Sequence, residues 1–202
     1  DLARAVAEYL GVEVEFKPVE WATVELSLTG GDIDCIWNGY SITAARQAIV
    51  DFSEPYVSST QIIVTLTDSE LATLADLEGK IVGTQMGSSS IDALAANAEI
   101  RDTFGELKEY ATFTEAMMDL QNGRVEAVVI DSIAFYGDFN VKAPEDYAVM
   151  DENFGEENMG IGTRQEDDAF TAKINEALAA LKDNGTAAEI SNTWFGEDIL
   201  IL

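Results

Sequence analysis

Three short segments place residue types suited to binding charged groups directly after apolar runs: Asn38-Gly39-Tyr40-Ser41-Ile42-Thr43-Ala44-Ala45-Arg46, then Gln85-Met86-Gly87-Ser88-Ser89, then Ile130-Asp131-Ser132. The first combines a glycine, two hydroxyls and an arginine at a helix start. Such a set can bind a carboxylate through backbone N–H groups, hydroxyl donors and a bidentate guanidinium. The second is a nest of backbone donors with hydroxyls beside it. Asp131, directly after an apolar strand, suits an ammonium group. One anion site and one cation site on separate strand ends suggest a zwitterion. Each residue also has a plainer use: Arg46 as a surface helix residue, Asp131 as a helix N-cap, the serine run as a solvated turn. Residue chemistry alone leaves that choice open.

The elements that must position these turns alternate along the chain. Helical spacing over Asp1 to Leu10 ends at Gly11, and Val12 to Phe16 alternates with period two as a strand should. A helix over Ala22 to Leu28 precedes a buried strand at Ile33 to Trp37, and Thr43 caps a short helix through Ile49. After the apolar run Gln61 to Thr65 the pattern predicts a helix at Leu71 to Leu77 and strands at Lys80 to Thr84 and Leu107 to Tyr110. It then predicts a helix over Glu115 to Gln121 capped by Thr114, a strand at Val125 to Ile130 and a helix at Ser132 to Phe139. Weak strands near Tyr147 to Met150 and Met159 to Arg164 lead into helices at Asp167 to Lys182 and Thr186 to Trp194. This alternation predicts an α/β fold with parallel, doubly wound sheets, in which ligands sit beyond the carboxyl ends of the strands.

Composition narrows the function. The 202 residues are enough for one large domain or two modest ones. With 38 acidic residues against 11 basic ones, the formal charge of −27 repels phosphate backbones and anionic membranes, which excludes nucleic acid as a partner. The chain has no histidine, so the commonest general base and the commonest metal ligand are both missing. No catalytic residue, metal or cofactor is expected. Cys35 is the sole cysteine, so no disulfide can form within the chain, and its apolar surroundings point to a buried structural thiol. No apolar stretch reaches the length of a membrane span. The expectation is a soluble, mature chain whose upstream residues were removed or left out.

The stretch Asp32 to Arg46, continuing through Val50-Asp51-Phe52-Ser53-Glu54-Pro55-Tyr56, resembles the signature of the family 3 bacterial solute-binding proteins, the polar amino-acid binding subunits of ABC importers. The likeness continues in Leu77 to Gly83 with Gly87-Ser88-Ser89, in Leu120 to Asp131, in Gly160-Ile161-Gly162 and in Trp194 to Asp198. It covers nearly the whole chain in the family's order.

That resemblance implies a two-lobed type II periplasmic-binding-protein fold, its lobes joined by a two-strand hinge that closes on ligand. Lobe 1 would comprise residues 1–60 and 162–202, and lobe 2 residues 61–161. It implies that Arg46 grips a ligand α-carboxylate, assisted by Gly39, Ser41 and Ser89, with Ser88 in the same nest. Asp131 would accept the α-ammonium, Trp21 would form a wall against the ligand side chain, and Asn38 and Gln85 would make secondary contacts. The implied partners are a free amino acid, polar or cationic, and the membrane permease of an ABC importer, in the periplasm or as a lipoprotein at the cell surface. Family members also carry two or three dozen residues ahead of the position of Asp1, including a first strand of lobe 1. The expectation is a longer native protein and, without that strand, exposed neighbouring edges. Two other uses of this fold stay open: the ligand-sensing ectodomain of a receptor or sensor kinase, and a cyclohexadienyl-dehydratase-like enzyme with Glu20 or Glu157 as the acid.

Overall fold

The structure, a computed structural model, describes residues 1–202. In chain order its helices are α1 (Leu2–Leu10), α2 (Val24–Thr29), α3 (Ala44–Gln47), α4 (Ser89–Ala96), α5 (Ala98–Arg101), α6 (Phe113–Gln121), α7 (Ser132–Ala134), α8 (Asp168–Asp183) and α9 (Thr186–Phe195). The strands are β1 (Asp51–Phe52), β2 (Val57–Leu66), β3 (Ile81–Gln85), β4 (Glu106–Tyr110), β5 (Ala127–Asp131), β6 (Tyr147–Met159) and β7 (Gly162–Thr163). The chain divides into two units. Unit 1 holds Asp1–Val19, Thr23–Ser58 and Glu157–Leu202, and unit 2 holds Glu20–Ala22 and Ser59–Glu156. The division falls inside β2 and inside β6.

Unit 2 is organised by β5. All five of its residues are buried, as a strand apolar on both sides must be when a sheet is covered on both faces. The sheet order is β4-β3-β5-β2-β6. β3 runs parallel to β4 and to β5, whereas β2 runs antiparallel to β5. The sheet is thus mixed where alternation alone predicts parallel strands. Along β5, Val128 and Ile130 pack with Ala116, Met117 and Leu120 of α6. Ala127 and Val129 pack with Leu94 of α4 and with Leu77. Thr112 rather than Thr114 caps α6, its hydroxyl accepting from Glu115 N while the Glu115 carboxylate accepts from Thr112 N. This capping box fixes the helix start. The segment expected as one helix at Ser132 to Phe139 is α7 followed by a π turn, Phe135–Asn140. The helix expected at Leu71 to Leu77 is a single 3-10 turn, Leu74–Leu77.

Unit 1 departs further from the sequence pattern. Val12 to Phe16 is not a strand, and all five residues are exposed. Ile33 to Trp37 shows one bridge, Ile36 to Gly162, in place of a strand. Alternation says which face of a strand would be buried, but a strand exists only as part of a ladder, and neither segment has one. The ladder of unit 1 is the two-residue pair β1–β7, and its core is largely helical. Val6 and Ala7 of α1, Val24 and Leu28 of α2, and Ile174, Leu178 and Leu181 of α8 are buried with Tyr40 and Ile161. α1 ends as predicted at Gly11, whose φ of 69° supplies the left-handed cap.

Candidate functional site

In unit 1, Asn38 and Gly39 take φ values of 154° and 61°, turning the chain sharply before Tyr40. The Thr43 hydroxyl then accepts from Arg46 N at 3.2 Å, starting α3. One turn of helix sets the Arg46 side chain back toward its own loop. Its Nη1 donates to Ser41 O at 3.0 Å, and its guanidinium carbon lies 4.4 Å from the centre of the Tyr40 ring. Glu25 of α2 completes the cluster, accepting from Tyr40 Oη at 2.9 Å and pairing with Arg46 Nε at 3.7 Å. Arg46 is 6% exposed and Tyr40 fully buried, so a charged group and its support are held largely away from water. Burial first, and the Glu25 hydrogen bond second, push the Tyr40 phenol well above its ordinary range.

Gly162 makes room for this arrangement, because a Cβ there would sit 2.7 Å from Tyr40 Cε1. Phe52 stacks on the same ring with centroids 5.1 Å apart. Cys35, half-buried, lies outside the cluster; burial chiefly, with Asp34 adding and Arg164 opposing, pushes its thiol up to about 11. At neutral pH it stays a thiol and is a poor nucleophile.

In unit 2, the sheet register brings the other polar residues together. Gln61 of β2 lies opposite Asp131 of β5. Directly opposed residues in an antiparallel pair share one face, here the face that α4 covers. The N-terminus of α4 therefore meets Gln61, whose Nε2 donates to Ser89 Oγ at 3.1 Å while its Oε1 accepts from Ser90 Oγ at 2.5 Å. Asp131 caps α7, with Oδ1 accepting from Ala134 N at 2.8 Å. Ser88 holds the N-cap position of α4 without capping it, since its hydroxyl donates to Gln85 O at 2.7 Å. Gln85 donates to Ala111 O at 3.0 Å. Gly87, with φ of 71°, passes close to Ala22, whose Cα would lie 3.0 Å from a Cβ at that position. That contact ties the Glu20–Ala22 segment, with half-buried Trp21, to unit 2.

Among the residues singled out from sequence, the structure thus groups Gly39, Ser41 and Arg46 around one loop of unit 1, with Asn38 exposed at its start. It groups Ser88, Ser89 and Asp131 at one end of the unit 2 sheet, with Gln85 at the end of β3. What the two loops offer is an arginine fixed in orientation and a carboxylate beside aligned hydroxyls.

The profile of the bacterial extracellular solute-binding proteins, family 3, matches residues 1–197. The chain belongs to that family. An ABC uptake transporter substrate-binding protein from Streptococcus pneumoniae, solved with bound histidine, is 38% identical, with a TM-score of 0.95 over all of this chain and 83% of that one. The L-arginine-binding protein of Pseudomonas aeruginosa is 31% identical over 98% of this chain and 79% of its own length. The L-cystine-binding protein TcyJ of Escherichia coli is 30% identical over 98% of this chain and 74% of its own length. These relatives are binding proteins. The family is extracellular, which places this solute-binding protein outside the cytoplasm, and no helix is long and apolar enough to cross a membrane.

Sequence reasoning about this family member missed Glu25, Tyr40, Gln61 and Ser90 as parts of the polar clusters. Gln61 carried a signal, as an amide heading the apolar run Ile62-Ile63-Val64. Glu25 carried none, because a glutamate on a short helix is ordinarily solvated.

Proposed function

We propose that the chain binds a free polar or cationic amino acid and delivers it to the membrane permease of an ABC importer, without catalysing a reaction. The observation that carries this is the presence of two polar clusters of opposite chemistry, one in each unit. Arg46 is held over the Tyr40 ring beside the Ser41 carbonyl, and Asp131 stands at the end of β5 beside the Gln61–Ser89 network. An α-amino acid carries the two matching charges. The α-carboxylate would take Arg46 with Gly39, Ser41 and Ser89, and the α-ammonium would take Asp131. Trp21 would wall the side chain, with Asn38, Gln85 and Ser88 at its margins. Lobes of residues 1–60 with 162–202 and of 61–161 would close about β2 and β6, because a ligand touching both stabilises the closed form. The ligands named for the relatives, histidine, arginine and cystine, support this class.

A thermal-shift screen against the twenty amino acids and cystine tests this. Ligand at about 100 times its dissociation constant adds roughly 2.7 kcal/mol, or about 5 to 10 °C for a chain of this size. The expected result is a shift from a few polar or cationic amino acids that Arg46→Ala and Asp131→Asn both abolish. No shift from any amino acid, or variants that respond like the parent, would overturn it.

A further inference from the structure

We propose that Glu25 is a positioning residue for the ligand α-carboxylate, acting through Tyr40 and Arg46. This rests on the amino-acid-binding function proposed above and adds to it a residue outside the binding loop. Four observations converge. Glu25 touches both members of the stack at once, Tyr40 Oη at 2.9 Å and Arg46 Nε at 3.7 Å. The guanidinium rests on the Tyr40 ring at 4.4 Å. The ring is pinned by Phe52 and by Gly162, where even a methyl group would collide with it. Arg46 has a side-chain exposure of only 7%, and Glu25 of 23%, so the pair sits where solvent screens it little.

A bidentate grip on a carboxylate demands a guanidinium plane fixed in angle as well as in place. Three restraints fix that plane: the Ser41 carbonyl at Nη1, the Tyr40 ring beneath, and the Glu25 carboxylate on the Nε edge. Glu25 also holds the second restraint in place, because the phenol it accepts from belongs to the ring on which the guanidinium lies. The role asks for an acceptor at this position more than for a charge, so glutamine should retain most of it and alanine should not.

The test measures dissociation constants by titration calorimetry for L-arginine with agmatine, L-histidine with histamine, and L-cystine with cystamine. Each amine is its partner without the carboxylate. Whichever pair the parent protein binds is carried into Glu25→Ala, Glu25→Gln and Tyr40→Phe. Glu25→Ala is expected to weaken the amino acid about 10-fold or more while leaving the amine within about 2-fold. Glu25→Gln should recover to within about 3-fold of the parent. Tyr40→Phe, which keeps the ring and removes the hydroxyl, should shift the amino-acid to amine ratio in the same direction, and serves if Glu25→Ala does not fold. Equal weakening of amino acid and amine would show mere structural damage and overturn the proposal. So would Glu25→Ala binding like the parent, or Glu25→Gln losing as much as Glu25→Ala. If the parent binds no amino acid, the binding function itself fails and this role falls with it; parent-like binding in every variant overturns this role alone.

Discussion

The polar clusters of the two units are built on opposite plans. In unit 1 a buried cation is matched by a carboxylate, Glu25, and laid on an aromatic ring. In unit 2 the hydroxyls of Ser89 and Ser90 are aligned by a neutral amide, Gln61, which also faces Asp131 across the β2–β5 ladder. A guanidinium taken out of water needs acceptors around it, here the Ser41 carbonyl and Glu25, or its desolvation is unfavourable. A hydroxyl needs only a partner that decides which way its hydrogen points. The same difference runs through the scaffolds. Unit 1 holds its cluster on short helices and loops around a two-residue ladder, whereas unit 2 holds its own at the ends of the inner strands of a five-stranded sheet.

The sharpest break of this comparison removes the charged member of each cluster. Arg46→Ala should weaken amino-acid binding by about 3 kcal/mol or more, roughly 100-fold, since truncating one partner of a buried charged contact costs about 2 to 5 kcal/mol. Asp131→Asn should do comparable harm while leaving α7 capped, because asparagine caps as well as aspartate. Binding by calorimetry, with the circular-dichroism melt as a check on folding, separates the two effects. Retained binding in either variant would mean that its cluster does not face ligand.

Gln61→Leu probes the neutral plan. Leucine fills similar volume but leaves the Ser89 and Ser90 hydroxyls without the amide that joins them. An unsatisfied buried polar group costs about 1 to 3 kcal/mol, so the expected outcome is a stability loss of about 2 kcal/mol with a binding loss near 10-fold. A variant that loses stability but binds normally would reduce Gln61 to a core residue.

Arg46 and Asp131 were legible in the sequence as members of polar turns because those turns carry the local grammar of helix starts: Gly39 before a hydroxyl, Thr43 three residues before its N–H partner, Asp131 directly before a helix start. Glu25 and Gln61 were not, since their meaning comes from tertiary neighbours that no local pattern reports. The sheet of unit 2 was legible for a related reason. Each of its strands found a ladder, so the period-two and all-apolar patterns meant what they usually mean. Val12 to Phe16 has the better alternation of the chain and yet forms no strand, because pattern sets the face and pairing makes the strand. The long β6, which sequence reading divided into pieces, is masked by its exposed acidic residues Asp151, Glu152 and Glu156.

Gly162→Ala tests how tightly the unit 1 stack is held. The added methyl would meet Tyr40 Cε1 at 2.7 Å, with Ile36 behind it at 3.5 Å, and the ring cannot retreat without leaving Phe52 or Arg46. Overpacking of this kind costs about 1 to 3 kcal/mol, a fall of roughly 2 to 10 °C in melting temperature. Weaker amino-acid binding should accompany it, because the surface that orients Arg46 has moved. A melt unchanged from the parent would mean that the stack is loose.

The smallest expected effect comes from a charged cluster that joins β4 to α6 in unit 2. Asp119 of α6 accepts from Lys108 Nζ at 2.9 Å, Tyr110 Oη at 2.6 Å and Arg124 Nε at 2.7 Å. These bonds, that of Arg124 foremost, hold its carboxyl well below the ordinary value of 3.8. A carboxylate depressed by folding stabilises the native state fully above the unfolded pKa, and that contribution is lost as the pH falls below it toward the folded value. Asp119→Asn should therefore melt lower than the parent at neutral pH, and the gap between the two should close as the pH is taken below about 3.8. Amino-acid binding should not change, since the side-chain bonds of this cluster brace β4 against α6. If Asp119→Asn altered affinity as well as the melt, the contrast would have to be redrawn, with charge compensation serving the ligand in both units.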